Sequence, residues 1–211
     1  MKFISVLAAC SLFLGSNLLA EKMDAQVVAS QCVPSKEVAL QQGMRKLWTD
    51  HVVWTRLYII SAVSKSEDLS AVTARLLKNQ EDIGNALIPF YGKDAAAGLT
   101  KLLKEHILIG AVLVQAAITN DKDAEKKADQ KWHDNAIAIA DFLSKANSYW
   151  PRQDLVNMLN RHLELTAQEA TYRIQKQWEK DISTFDQIVN QILEMADTLS
   201  AGISNQFLKA K

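Results

Sequence analysis

The chain has 211 residues, 24 Lys+Arg against 24 Asp+Glu, and 48% hydrophobic residues: long enough for one sizeable core, and too apolar for a disordered chain. Zero formal net charge argues against a nucleic-acid-binding module, whose phosphate contacts need a concentrated basic face. Seven Gly and three Pro argue against β-sandwiches, Rossmann folds and P-loop enzymes, which spend these residues on tight turns.

Residues 1–29 read as a secretory signal peptide with a short tail. Met1-Lys2 is a basic start and Phe3 to Leu19 is almost wholly apolar. Small residues then offer cleavage after Ala20, Ala25 or Ala29. The apolar stretch falls short of the ~20 residues of a spanning helix, and no basic stop-transfer cluster follows. A periplasmic or secreted chain without a transmembrane segment in its mature part is therefore expected. Leu7-Ala8-Ala9-Cys10 spells a lipoprotein box, the alternative route to the same side of the membrane. Loss of Cys10 leaves Cys32 as a single cysteine, so no intramolecular disulfide is expected.

Residues 30–211 read as one all-α domain, an up-and-down antiparallel bundle of about six helices. Helix one spans about Lys36 to Lys65, with Met44, Trp48, His51 and Tyr58 on its apolar stripe. Ser66 is the expected cap of helix two, which carries Leu69, Leu76, Asn79 and Ile83 and stops before Pro89. Asp94 is expected to open helix three, with Leu99, Leu103, His106 and Leu113 inward. Asn120 with Asp123 predicts the start of helix four, whose stripe runs Trp132, Asn135, Ile139 and Leu143. Pro151 starts helix five (Leu155, Leu159, His162, Thr166); helix six (Phe185, Ile192, Leu199) either follows a break near Gln177 to Asp181 or continues helix five as one long bent helix. Short connections between helices of matching length force antiparallel neighbours.

Three of the four histidines, His51, His106 and His162, fall on apolar stripes near the middle of their helices. Asn79, Asp82 and Asn135 come at comparable depth, with Asp186 as a further candidate, so a polar belt across the core is expected. Each member needs a partner, because a buried unpaired polar group costs about 1–3 kcal/mol. Two arrangements satisfy it. His51, His106, His162 and Asp82 form a plausible four-ligand set for one divalent transition metal such as zinc, iron or copper. Alternatively the imidazoles, amides and carboxylate bond to one another and to water. Glu-x-x-His, His-Glu-x-x-His and Gly-x-Ser-x-Gly are all missing from the sequence, which weighs against a di-iron site, a zincin and an α/β-hydrolase.

The chain resembles a family of small bacterial all-helical proteins. The likeness is carried by His51-x-x-Trp54-Thr55-Arg56, Pro89-Phe90-Tyr91-Gly92 and Trp132-x-x-Asn135-Ala136-x-x-Ile139-Ala140-x-Phe142-Leu143. It continues through His162-Leu163-x-Leu165-Thr166 and Met195-Ala196-Asp197. The resemblance implies a helical fold and brings no established activity. The expected function is an exported, non-enzymatic bundle, structural or partner-binding, with no nucleic-acid partner and with a protein partner possible. The alternative is a periplasmic metal-binding or metal-sensing bundle that uses the belt as ligands.

Overall fold

The computed structural model describes residues 35–209. The expected signal peptide and both cysteines lie outside the described residues. Six helices account for almost all of the rest: α1 (Lys36–Ser64), α2 (Leu69–Ala86), α3 (Ile88–Thr119), α4 (Lys122–Ala146), α5 (Arg152–Ile174) and α6 (Trp178–Ile203). A π-helical turn, Ser204–Leu208, follows. Among the described residues there is no strand.

Four starts and stops differ in detail from the sequence expectations, each for a local reason. Asp68, not Ser66, occupies the cap position of α2. Ile88 and Pro89 are not pushed out of helical geometry; they form the first turn of α3, where proline's missing N–H is no loss. The break comes instead at Gly92, whose φ of 81° ends that single turn before the helix resumes. Asn120 closes α3 in the left-handed conformation (φ 56°), and the cap of α4 is Asp121, whose carboxylate accepts from Ala124 N–H at 3.0 Å. Asparagine favours both caps and left-handed positions, so its role could not be separated from sequence. Helices α5 and α6 are separate, divided at Lys176 (φ 58°).

Consecutive helices pack side by side, and α6 returns to α1 to close a ring. Helices α1, α3 and α5 run in the same direction and also touch one another at the centre. The ring is built from three helical hairpins related by a shift of 55–56 residues. Met44, Leu99 and Leu155 are equivalent and buried, as are Trp48, Leu103 and Leu159. On the outer helices Leu76, Trp132 and Ile188 correspond, then Ile83, Ile139 and Met195, then Leu87, Leu143 and Leu199, again all buried. Each hairpin alone leaves an apolar face uncovered, and the ring covers all three at once. Helix α3 is long and apolar enough by composition to cross a membrane; here it packs between α2 and α4.

One end of the ring is sealed by aromatic side chains. The Tyr91 hydroxyl donates to Gln206 Oε1 (3.1 Å) and accepts from Asn147 Nδ2 (2.9 Å). Phe207 stands edge-on to the Tyr91 ring at 5.0 Å, and Trp150 lies 5.8 Å from it. Burial pushes the Tyr91 hydroxyl pKa up to about 12. The buried Trp150 indole lies directly on Gly202, where an added Cβ would come within 2.0 Å of Nε1. Gly202→Ala is therefore expected to destabilise the fold by about 1–3 kcal/mol through overpacking, read as a lower urea midpoint. A midpoint equal to the parent's would contradict this contact.

Candidate functional site

The three stripe histidines meet at one level of the ring, each 3–5% exposed. Each comes from an inner helix and faces an outer-helix amide 29 residues later in the chain. In the second hairpin Asn135 Nδ2 donates to the Leu102 carbonyl (3.2 Å), so Asn135 Oδ1 is the acceptor that faces His106 Nδ1 at 2.9 Å. In the third, Gln191 Nε2 donates to the Met158 carbonyl (3.0 Å) and its Oε1 faces His162 Nδ1 at 3.2 Å. Both imidazoles therefore carry hydrogen on Nδ1 and keep a lone pair on Nε2.

The first hairpin departs from this pattern. Asn79 Nδ2 donates to the Leu47 carbonyl at 3.0 Å, as its counterparts do. One residue fewer separates His51 from Asn79, however, and Gln80 occupies the place opposite the imidazole. Gln80 Nε2 contacts the Leu76 carbonyl (2.9 Å), Asn79 Oδ1 (3.0 Å) and His51 Nδ1 (3.3 Å). Turning that amide over would aim Oε1 at two acceptors, so the orientation is fixed. The two Gln80 Nε2 hydrogens serve the two nearer oxygens first, so the contact with His51 is the weakest of the three; a lone pair on Nδ1 suits it better than a hydrogen, which favours the His51 hydrogen on Nε2. The layer thus holds one Nε2–H donor and two Nε2 acceptors.

Burial pushes all three imidazoles down, His106 to about 3 and His162 to about 4. His51 is held well below its ordinary value by burial first, then by its two imidazole neighbours. All three are neutral near pH 7. Replacing Asn135 by Leu would leave the His106 Nδ1–H without its acceptor. A loss of about 1–3 kcal/mol is expected, measured by urea unfolding with an unchanged m-value; no loss would remove the assigned bond.

Beneath the layer lies a cavity of about 390 Å³ lined by all three histidines. Thr55, Gly110 and Thr166 follow one turn further along α1, α3 and α5, and Ile59, Val114 and Ala170 close the next turn. The Trp132 indole packs on Gly110, 3.4 Å from where a Cβ would stand, an ordinary contact distance. Trp132 Nε1 donates to the His106 carbonyl at 3.1 Å. At the rim stand Lys122, Glu125, Lys126 and Asp129, from the first turns of α4. Lys122 pairs with Glu125 at 2.7 Å. Nδ1 of each imidazole is turned to an outer helix, so the Nε2 edges remain for the cavity.

The expected belt is thus partly assembled. His51, His106, His162, Asn79 and Asn135 are in it. Asp82 is not: it lies on the outer side of α2, paired with Lys78 at 2.8 Å and near Arg75. Asp186 is exposed on α6 and takes no part. Among the described residues no three His, Cys, Asp or Glu side chains come close enough to hold one metal ion. Gln80 and Gln191 are the members that sequence reasoning missed; the 56-residue step from Asn79 through Asn135 leads to Gln191, whereas Gln80 steps to Ala136 and lies outside the repeat.

A second buried polar group lies further along the same helices. Arg56 donates to Glu169 and, at 2.8 Å, to Asp181; Arg173 donates to Asp181 at 3.2 Å. The Arg56 guanidinium also lies 4.7 Å from the centre of the Phe185 ring. Both carboxylates are 1% exposed. Burial pushes Glu169 up to about 7, against the pull of Arg56. Asp181, in the first turn of α6, anchors both arginines.

No family model, curated protein or solved structure matches the chain.

Proposed function

We propose that this helical ring binds a small molecule in the cavity between α1, α3 and α5, without catalysing a reaction. The observation that carries the reading is a mostly apolar space of about 390 Å³ lined by three buried imidazoles whose Nδ1 atoms face outer-helix amides. Ligand pockets of this kind combine mostly apolar walls with a few fixed polar groups at a volume of about 300–1,000 Å³. Export to the periplasm or beyond, carried by the leader-like residues 1–29, would place the site where ligands arrive from outside.

The metal-binding alternative has His106 and His162 in its favour, since an amide oxygen on Nδ1–H is a usual outer partner of a metal-bound imidazole. Against it stand the outward position of Asp82 and the Nε2–H of His51. The cavity reading fits the donor set better.

The test is calorimetric titration of the purified chain with naphthalene, whose two rings fit the space. Saturable one-to-one binding is expected, with at least a tenfold loss in Ala167→Trp, which fills the cavity from α5. A folded parent chain that takes up no naphthalene, or a filled variant that binds as well, would contradict the proposal. Zinc titrated in parallel should bind no more tightly to the parent than to His106→Gln.

A further inference from the structure

We infer that the head group this cavity selects is an uncharged hydroxyl on an apolar body, an alcohol- or phenol-type amphiphile, held between His51 Nε2–H and the His162 Nε2 lone pair. The inference rests on the ligand-binding reading above. A hydroxyl donates one hydrogen bond and accepts others. His51 and His162 offer one acceptor and one donor as nearest neighbours in the layer, with ring centroids 5.6 Å apart. Gln191 Oε1 faces His162 Nδ1 and leaves the His162 Nε2 lone pair free, and the Gln80 amide nitrogen behind His51 Nδ1 favours the hydrogen on His51 Nε2. A carboxylate, which only accepts, would find the lone pairs of His106 and His162 set against it. A hydrocarbon would leave Nε2 atoms unpaired once water is expelled.

The body of the ligand is defined by the space below. The histidine layer and the Ile59, Val114 and Ala170 layer are eight residues apart on each inner helix, about 12 Å at 1.5 Å per residue. An engineered cavity of about 150 Å³ holds benzene, so about 390 Å³ accommodates two fused rings or an alkyl chain of similar bulk. The exposed rim residues Lys126 and Asp129 keep the far end open to water, which suits a molecule entering head first.

The experiment compares 2-naphthol, naphthalene and 2-naphthoate by calorimetry on the parent chain at pH 7.5. One well-made buried hydrogen bond corresponds to about tenfold in affinity. The expected result is 2-naphthol binding at least tenfold tighter than naphthalene, with 2-naphthoate weakest. In His162→Phe, which keeps the ring and removes the acceptor, 2-naphthol should fall to within about threefold of naphthalene. Naphthalene binding as tightly as 2-naphthol, or 2-naphthoate binding tightest, overturns the hydroxyl inference and leaves the cavity reading standing. Absence of binding by all three overturns both. The ligand series needs no variant, so an unfolded His162→Phe would not protect the inference.

Discussion

Arg56→Met is expected to lower stability by about 3–5 kcal/mol, the usual consequence of removing one partner from a buried ion cluster. Glu169 and Asp181, both 1% exposed, would be left to share Arg173, which reaches only Asp181. The loss should depend on pH. Burial already holds Glu169 at about 7, so without Arg56 its carboxyl escapes the penalty by taking a proton. Urea unfolding should show a larger difference between variant and parent at pH 8 than at pH 6. Glu169→Gln supplies the control, because it keeps an acceptor for Arg56 while removing one charge, and should cost less. Equal losses for Arg56→Met at both pH values would contradict a desolvated Glu169.

Acid should weaken the fold well above the carboxylate range. The imidazoles are neutral in the fold, with His106 at about 3 and His162 at about 4, against about 6.5 in an unfolded chain. Above pH 6.5 neither state binds these protons and stability is full. Below it the unfolded chain protonates first, and stability falls by about 1.4 kcal/mol per pH unit for each histidine. Glu169 acts in the opposite sense, because its raised value gives the folded state the extra proton between about 7 and 4.5. By pH 5 His106 and His162 each remove about 2 kcal/mol and Glu169 returns about 2 kcal/mol, and His51 adds a loss in the same direction as its two neighbours, so the net loss from pH 7.5 exceeds about 2 kcal/mol. That is a large part of a stability of about 5–15 kcal/mol. The measurement is the urea midpoint across pH 5 to 8. A flat profile would mean that the histidines are not buried as neutral bases.

The helices were legible because each apolar stripe repeats at 3.6 residues over many turns. The three histidines were legible for the same reason, since each stands where the stripe demands an apolar residue. Asp82 was misplaced because depth along a helix says nothing of angle around it. It lies three residues past Asn79, on the side of Lys78 and Arg75, while Asn79 faces inward. Gln80 and Gln191 escaped notice because glutamine is ordinary on a helix surface, and only its partner reveals that it is buried. The three-hairpin repeat was hidden by substitutions that preserve burial and discard identity, as in Leu76, Trp132 and Ile188. Closure of the ring is a long-range contact between α1 and α6, which periodicity does not encode.

The positions of the hydrogens in the histidine layer set what the cavity can bind, and the neutrality of its imidazoles sets the response to acid. Long-range proton–nitrogen NMR on the 15N-labelled chain at pH 7.5 reads those positions directly. Three neutral imidazoles are expected, with His106 and His162 protonated on Nδ1 and His51 on Nε2. His51 in the same tautomer as the other two, or any of the three found as imidazolium at that pH, would contradict this assignment.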